Sequence, residues 1–177
     1  MRHAIDRRAL LAGSAAYAAL LACSNAQDTE DTAMSTTTST PADGGIDWSG
    51  LSEAEWKDRL TPAEFDVLRE EGTERAGSSP LDKTYDAGTY VCAGCALPLF
   101  ESDMKFDSGT GWPSFFTFIE GSLETKRDFK LILPRTEYHC ARCGGHQGHV
   151  FKDGPAPTGL RYCNNGVALD FVPRSAG

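Results

Sequence analysis

No apolar run in this chain is long enough to span a membrane. The best candidate, Ala9 to Ala22, falls short of the roughly 20 residues needed to cross a hydrocarbon core of about 30 Å, so a membrane bundle is excluded. Clusters of lysine and arginine are missing as well. The 17 basic residues are outnumbered by 25 acidic ones, for a formal net charge of -8. Removal of residues 1–22 would take away Arg2, Arg7 and Arg8 against only Asp6, leaving the remainder more acidic still. Such a surface repels a phosphate backbone, so no nucleic-acid partner is expected. Strands do not alternate with long helices, which argues against a parallel α/β sheet. There is no internal repeat beyond two Cys-x-x-Cys turns. What remains, 40% apolar and 24% charged over 177 residues, suits one ordinary domain with tails.

The N-terminus reads as an address. Residues 1–22 place a positive start before an apolar run, the pattern of an export signal. Arg7-Arg8 resemble a twin-arginine signal, and Leu20-Leu21-Ala22-Cys23 resembles a bacterial lipobox. Cleavage before Cys23 and acylation of its thiol would place the protein in the bacterial envelope, periplasmic and lipid-anchored. An ordinary signal peptide cut elsewhere is the alternative. A Cys23→Ala form that stayed membrane-bound and took up no fatty acid would exclude the anchor. Residues 23–46 are small and polar and cannot offset an ordering entropy of roughly 1–2 kcal/mol per residue, so they are expected to form a flexible spacer. The folded domain is expected over 47–174.

Within that domain, short helices come first. Ser52 to Glu55 and Thr61 to Glu64 have capping-box spacing, Pro62 suits a first helical turn, and Gly72 suits a helix end. From Tyr85 onward glycine, proline and aromatics recur between short apolar runs. Tyr90-Val91, Leu97–Phe100, Phe115–Ile119, Lys130–Leu133, His149–Phe151 and Val167–Val172 are predicted as strands or strand ends. The expected fold class is all-β.

The six cysteines divide into Cys23, the pair Cys92 and Cys95, the pair Cys140 and Cys143, and the lone Cys163. Each pair follows an aromatic strand-like segment into a tight turn. Two such turns complete a tetrahedral sulfur site for zinc, and four protein ligands would leave no open position, so the metal would be structural. The interval from Cys95 to Cys140 exceeds that of a zinc ribbon, so several strands must lie between the turns. Two disulfides, or a redox-active Cys-x-x-Cys, are the alternatives.

Cys163 lies in the densest chemistry of the chain. Arg161 is two residues away and shares its face on a strand. His146, His149, Asp153 and Asn165 lie close in sequence. A reactive cysteine must become a thiolate, so cationic neighbours are expected to pull its pKa down from about 8.5. The stretch Phe106–Phe115 sets Trp112 between glycines and stiffens it with Pro113, either as a core turn or as the apolar wall of a small pocket.

Two stretches, FDSGTGWPSF and HCARCGGHQGHVFKDGPAPTGLRYC, together with Asn165, resemble the methionine-R-sulfoxide reductase (MsrB) family over about Asp47 to Pro173. The resemblance implies two antiparallel sheets, a β-tent, and structural zinc on Cys92, Cys95, Cys140 and Cys143. It implies Cys163 as the nucleophile, Trp112 against the substrate's S-methyl group, and His146, His149, Asp153, Arg161 and Asn165 as the polar part of the site. The substrates would be oxidised proteins or peptides. Many relatives carry a second cysteine where this chain has Thr110. The sulfenic acid formed on Cys163 is therefore expected to be reduced by a small thiol or a thioredoxin-like partner. Two other classes compete: a zinc-stabilised binding module without catalysis, and a dithiol–disulfide oxidoreductase that depends on a Cys-x-x-Cys and survives Cys163→Ser.

Overall fold

The structure, a computed structural model, describes residues 45–131 and 133–175. The expected export signal, Cys23 and almost all of the spacer lie outside these residues. Two short helices come first, α1 (Glu53–Arg59) and α2 (Pro62–Glu70). Both begin as the sequence predicts. The Glu55 carboxylate accepts from the Ser52 N–H at 2.8 Å while the Ser52 hydroxyl accepts from the Glu55 N–H at 3.4 Å. Thr61 and Glu64 repeat the arrangement at 2.7 and 3.3 Å. Each box satisfies two donors that the first helical turn leaves bare.

The end of α2 departs from expectation. The left-handed residue is Glu71, at φ 56°, and not Gly72. Lys126 and Lys130 hold the Glu71 carboxylate in place. Gly72 serves another need: a Cβ there would collide with the Asp66 side chain.

The strands are β1 (Gly88–Cys92), β2 (Pro98–Glu101), β3 (Lys105–Phe106), β4 (Ser114–Phe115), β5 (Leu123–Asp128), β6 (Arg135–Cys140), β7 (His146–Phe151), β8 (Arg161–Asn164) and β9 (Leu169–Pro173). They form a three-stranded sheet in the order β2-β1-β9 and a six-stranded sheet in the order β3-β4-β8-β7-β6-β5. Every neighbouring pair is antiparallel, so the all-β expectation holds. The two sheets meet through aromatic rings. Phe100 of β2 stacks on Phe115 of β4 with centroids 3.9 Å apart, and Tyr90 and Tyr138 pack edge-on around this pair. All four side chains are fully buried.

Two predicted strands are misplaced. Phe115–Ile119 contributes only its first residue to β4. Lys130–Leu133 is no strand: its described residues form the turn between β5 and β6, with Leu131 and Leu133 exposed. The strand that the turn follows, β5, buries only its end residues Leu123 and Asp128 and presents four polar side chains to solvent between them. An edge strand of that kind shows no apolar alternation, so the apolar turn drew the assignment instead.

Candidate active site

Cys163 sits in the middle of the six-stranded sheet, because β8 is flanked by β4 and β7. Its register partners are Ser114 on one side and His149 on the other. Residues directly opposite in a sheet share a face, so these three side chains converge. Gly148 permits the close approach of β7 to β8, since a Cβ there would strike the Cys163 carbonyl oxygen.

The half-buried Cys163 lines a cleft of about 140 Å³ with Thr73, Trp112, Arg135, Gly148, His149, Phe151, Asn164 and Asn165. Trp112 is fixed by its indole N–H, which donates to the Glu74 carbonyl at 3.2 Å. Glu74 also ties this corner to the turn after β8, accepting from the backbone N–H groups of Gly166 and Val167 at 2.6 and 2.9 Å. A larger hollow of about 500 Å³ beside α2 and β9 contains none of the predicted site residues.

Arg161 is beside Cys163, as the strand period requires. Its guanidinium lies 4.4 Å from the centre of the Phe151 ring and takes a two-point grip from Asp153, at 2.9 Å for each bond. Asp153 itself is exposed and stands behind Arg161, outside the cleft. The expectation of a depressed thiol pKa is overturned. Burial pushes the Cys163 thiol up, and the charge of Arg161 and hydrogen bonding from Arg161 and Thr110 offset this only in part.

The two histidines differ. His149 lines the cleft, and its Nε2 bonds the Asp128 carboxylate at 2.7 Å. Asp128 is gripped in turn by Arg135 at 2.6 Å and by the Lys130 N–H at 2.8 Å. These bonds, led by that of the Lys130 N–H, hold its carboxyl well below the usual carboxylate range. His146 is buried behind the cleft, with Nδ1 on Glu137 at 2.8 Å, Nε2 without a partner, and its ring 5.5 Å from that of His149. Burial lowers its pKa. Asn165 lines the cleft, but its amide is engaged in structure: Oδ1 accepts from the Glu74 N–H and Nδ2 donates to the Gln147 carbonyl, both at 3.0 Å.

Sequence reasoning missed Asp128, Arg135, Glu137 and Glu74. None belongs to a recognisable spacing. They reach the site only through strand pairing and a bond spanning some ninety residues of chain.

The other four cysteines cluster apart from Cys163, as unpaired thiols whose sulfurs all lie within 4.8 Å of one another. Cys92 and Cys143 are separated by 3.7 Å, and Cys95 and Cys140 by 3.5 Å. A disulfide would need about 2.05 Å. A tetrahedron with metal–sulfur bonds of about 2.3 Å has edges of about 3.8 Å, so the donors fit a four-coordinate thiolate metal centre. Leu68 of α2 packs over Gly94 and Gly145 and helps to cover the cluster.

The SelR domain family matches residues 60–173. A peptide methionine sulfoxide reductase MsrB from Bradyrhizobium diazoefficiens is 53% identical over 124 residues, covering 70% of this chain and 89% of the relative. The MsrB of Leptospira interrogans is 50% identical over 121 residues, 68% of this chain and 92% of the relative. That of Methanosarcina barkeri is 51% identical over 127 residues, 71% and 89% of the two chains.

Proposed function

Since the chain belongs to the SelR-domain family of peptide methionine sulfoxide reductases, we propose that it reduces the R epimer of methionine sulfoxide with Cys163 as the nucleophile. The observation that carries this reading is the place of Cys163. It is set apart from the four clustered cysteines, on the face it shares with His149, in a cleft that Trp112 also lines.

A sulfoxide offers an apolar methyl, a polar oxygen and a chiral sulfur. The Trp112 ring takes the methyl, which leaves the oxygen directed toward His149. Attack of the Cys163 sulfur breaks the sulfur–oxygen bond of the substrate and forms a new one on Cys163. The products are a thioether and Cys163 sulfenic acid, so the sulfur of methionine is reduced and that of Cys163 oxidised. The thiol proton ends on the transferred oxygen. His149, its ring held by Asp128, is placed to carry that proton as charge builds on oxygen. Arg161, gripped by Asp153, stabilises the thiolate as it forms.

Thr110 faces Cys163 and carries no thiol. One external thiol therefore condenses with the sulfenic acid, releasing water and leaving a mixed disulfide, and a second thiol releases Cys163. The four-cysteine cluster holds zinc, which supplies a cross-link and no reactive position.

Assay of wild type and Cys163→Ser on resolved R- and S-sulfoxides tests the whole. Wild type should consume only the R epimer, and Cys163→Ser should lose at least about a thousandfold in rate. Turnover that survives in Cys163→Ser and needs Cys92 or Cys140 would instead favour dithiol–disulfide chemistry.

A further inference from the structure

The hairpin joining β5 to β6 inverts the usual surface arrangement. Three of its cations are tied to carboxylates. Lys130 reaches Glu71 at 2.6 Å, Arg135 reaches Asp128 at 2.6 Å, and Lys126 pairs with both Glu71 and Glu137. Its apolar side chains stand out: Phe129 is 70% exposed, Leu131 57% and Leu133 78%. Single exposed apolar residues are ordinary, but a group of large ones on one short turn marks a contact surface.

The location of this group relates it to the cleft. Asp128, which holds His149, immediately precedes Phe129. Arg135, which lines the cleft, follows Leu133 by two residues, about 7 Å of extended chain.

We infer that this hairpin tip is a docking surface for polypeptide substrates, receiving the apolar side chains that neighbour an oxidised methionine in an unfolded segment. The inference rests on the reductase reading above and adds to it the surface that receives the polypeptide around the sulfoxide. A cleft of about 140 Å³ takes one side chain, so affinity for anything larger must come from the surface beside it. Methionine is itself a core residue, and the segments that carry it expose apolar neighbours once unfolded. An anionic lipid surface fits less well. Lys126, Lys130 and Arg135 around the tip are already paired with carboxylates, and the whole chain carries -8. Exposed Arg127 is the one cation of the hairpin outside such a pair among the described residues, so the electrostatic attraction that assists such contacts is weak.

The test compares wild type with a triple variant, Phe129→Ser, Leu131→Ser and Leu133→Ser, on three substrates. These are N-acetyl-methionine-R-sulfoxide, an oxidised peptide with leucine and phenylalanine beside the sulfoxide, and the same peptide with serine and glycine there. Wild type should show a KM for the apolar peptide about tenfold below that for the polar one, the scale expected from partial burial of two or three apolar side chains. The variant should lose this preference while its kcat/KM for the small substrate stays within about twofold of wild type. A wild type indifferent to the flanking residues overturns the inference without any variant. So does a variant that loses activity equally on all three substrates. A variant whose kinetics are unchanged but which no longer sediments with phosphatidylglycerol vesicles would assign the tip to lipid and also overturn it. Failure of wild type on the small substrate would instead sink the reductase reading.

Discussion

At Cys163 burial and charge pull in opposite directions, and burial wins. The thiol pKa lies above its ordinary value although Arg161 stands beside it. The free protein should therefore react with iodoacetamide along a pH profile whose midpoint lies above that of a free cysteine measured alongside it. Removing the cation by Arg161→Met should move that midpoint further up, because Arg161 favours the thiolate. A midpoint near 7 in wild type would show that the site stabilises the anion before substrate arrives. The site's chemistry-bearing residues are legible in sequence because they cluster between His146 and Asn165. Their protonation is not legible, since it depends on how deeply the sheet buries one sulfur. Asp128 is invisible for a similar reason. It looks like one more charge on a polar strand until strand pairing sets it on the ring of His149.

Among the elements, those governed by local chemistry are the ones read correctly. Both capping boxes start their helices where spacing alone puts them. The hairpin of β5 and β6 fails that reading because its order comes from a distant partner, Glu71 at the end of α2. Bonds from Lys126 and then Lys130 lower the Glu71 carboxyl from 4.5 to about 2. A carboxyl depressed in the folded state adds stability that is fully present above pH 4.5 and is lost as the pH falls through about 2. Wild type should thus exceed Glu71→Gln in stability at pH 6, and the gap should close as the pH approaches 2. Paired denaturant titrations across that range measure it. A gap that did not vary with pH would mean that the lysines contribute nothing through this carboxylate.

Across the whole molecule, the four-cysteine cluster draws one pair of thiols from each of the two sheets. Cys92 ends β1 in the small sheet, and Cys140 ends β6 in the large one, with Cys95 and Cys143 in the turns that follow. A metal held there braces sheet to sheet, and α2 covers it. The two pairs are evident from sequence, but their role as a brace is not, because only the topology assigns each pair to a different sheet. The brace also reaches the nucleophile. Gln147, fully buried, donates to the Cys92 sulfur at 3.4 Å and accepts from the Asn164 amide at 3.3 Å, and its carbonyl receives the Asn165 N–H at 2.8 Å. Asn164 and Asn165 immediately follow Cys163. Loss of the metal should therefore do two things together. Because metal binding couples to folding, the melting midpoint should drop by about 10 °C or more. Because Gln147 then loses its fixed sulfur partner, β8 should loosen and Cys163 should alkylate faster at constant pH. Metal analysis, calorimetry and mass-spectrometric labelling on the same chelated sample separate these effects. A protein shown to be metal-free yet unchanged in melting would mean that the aromatic packing around Phe100 and Phe115 holds the sheets together without it. If melting fell but labelling of Cys163 did not change, the brace would stand and its reach through Gln147 would not.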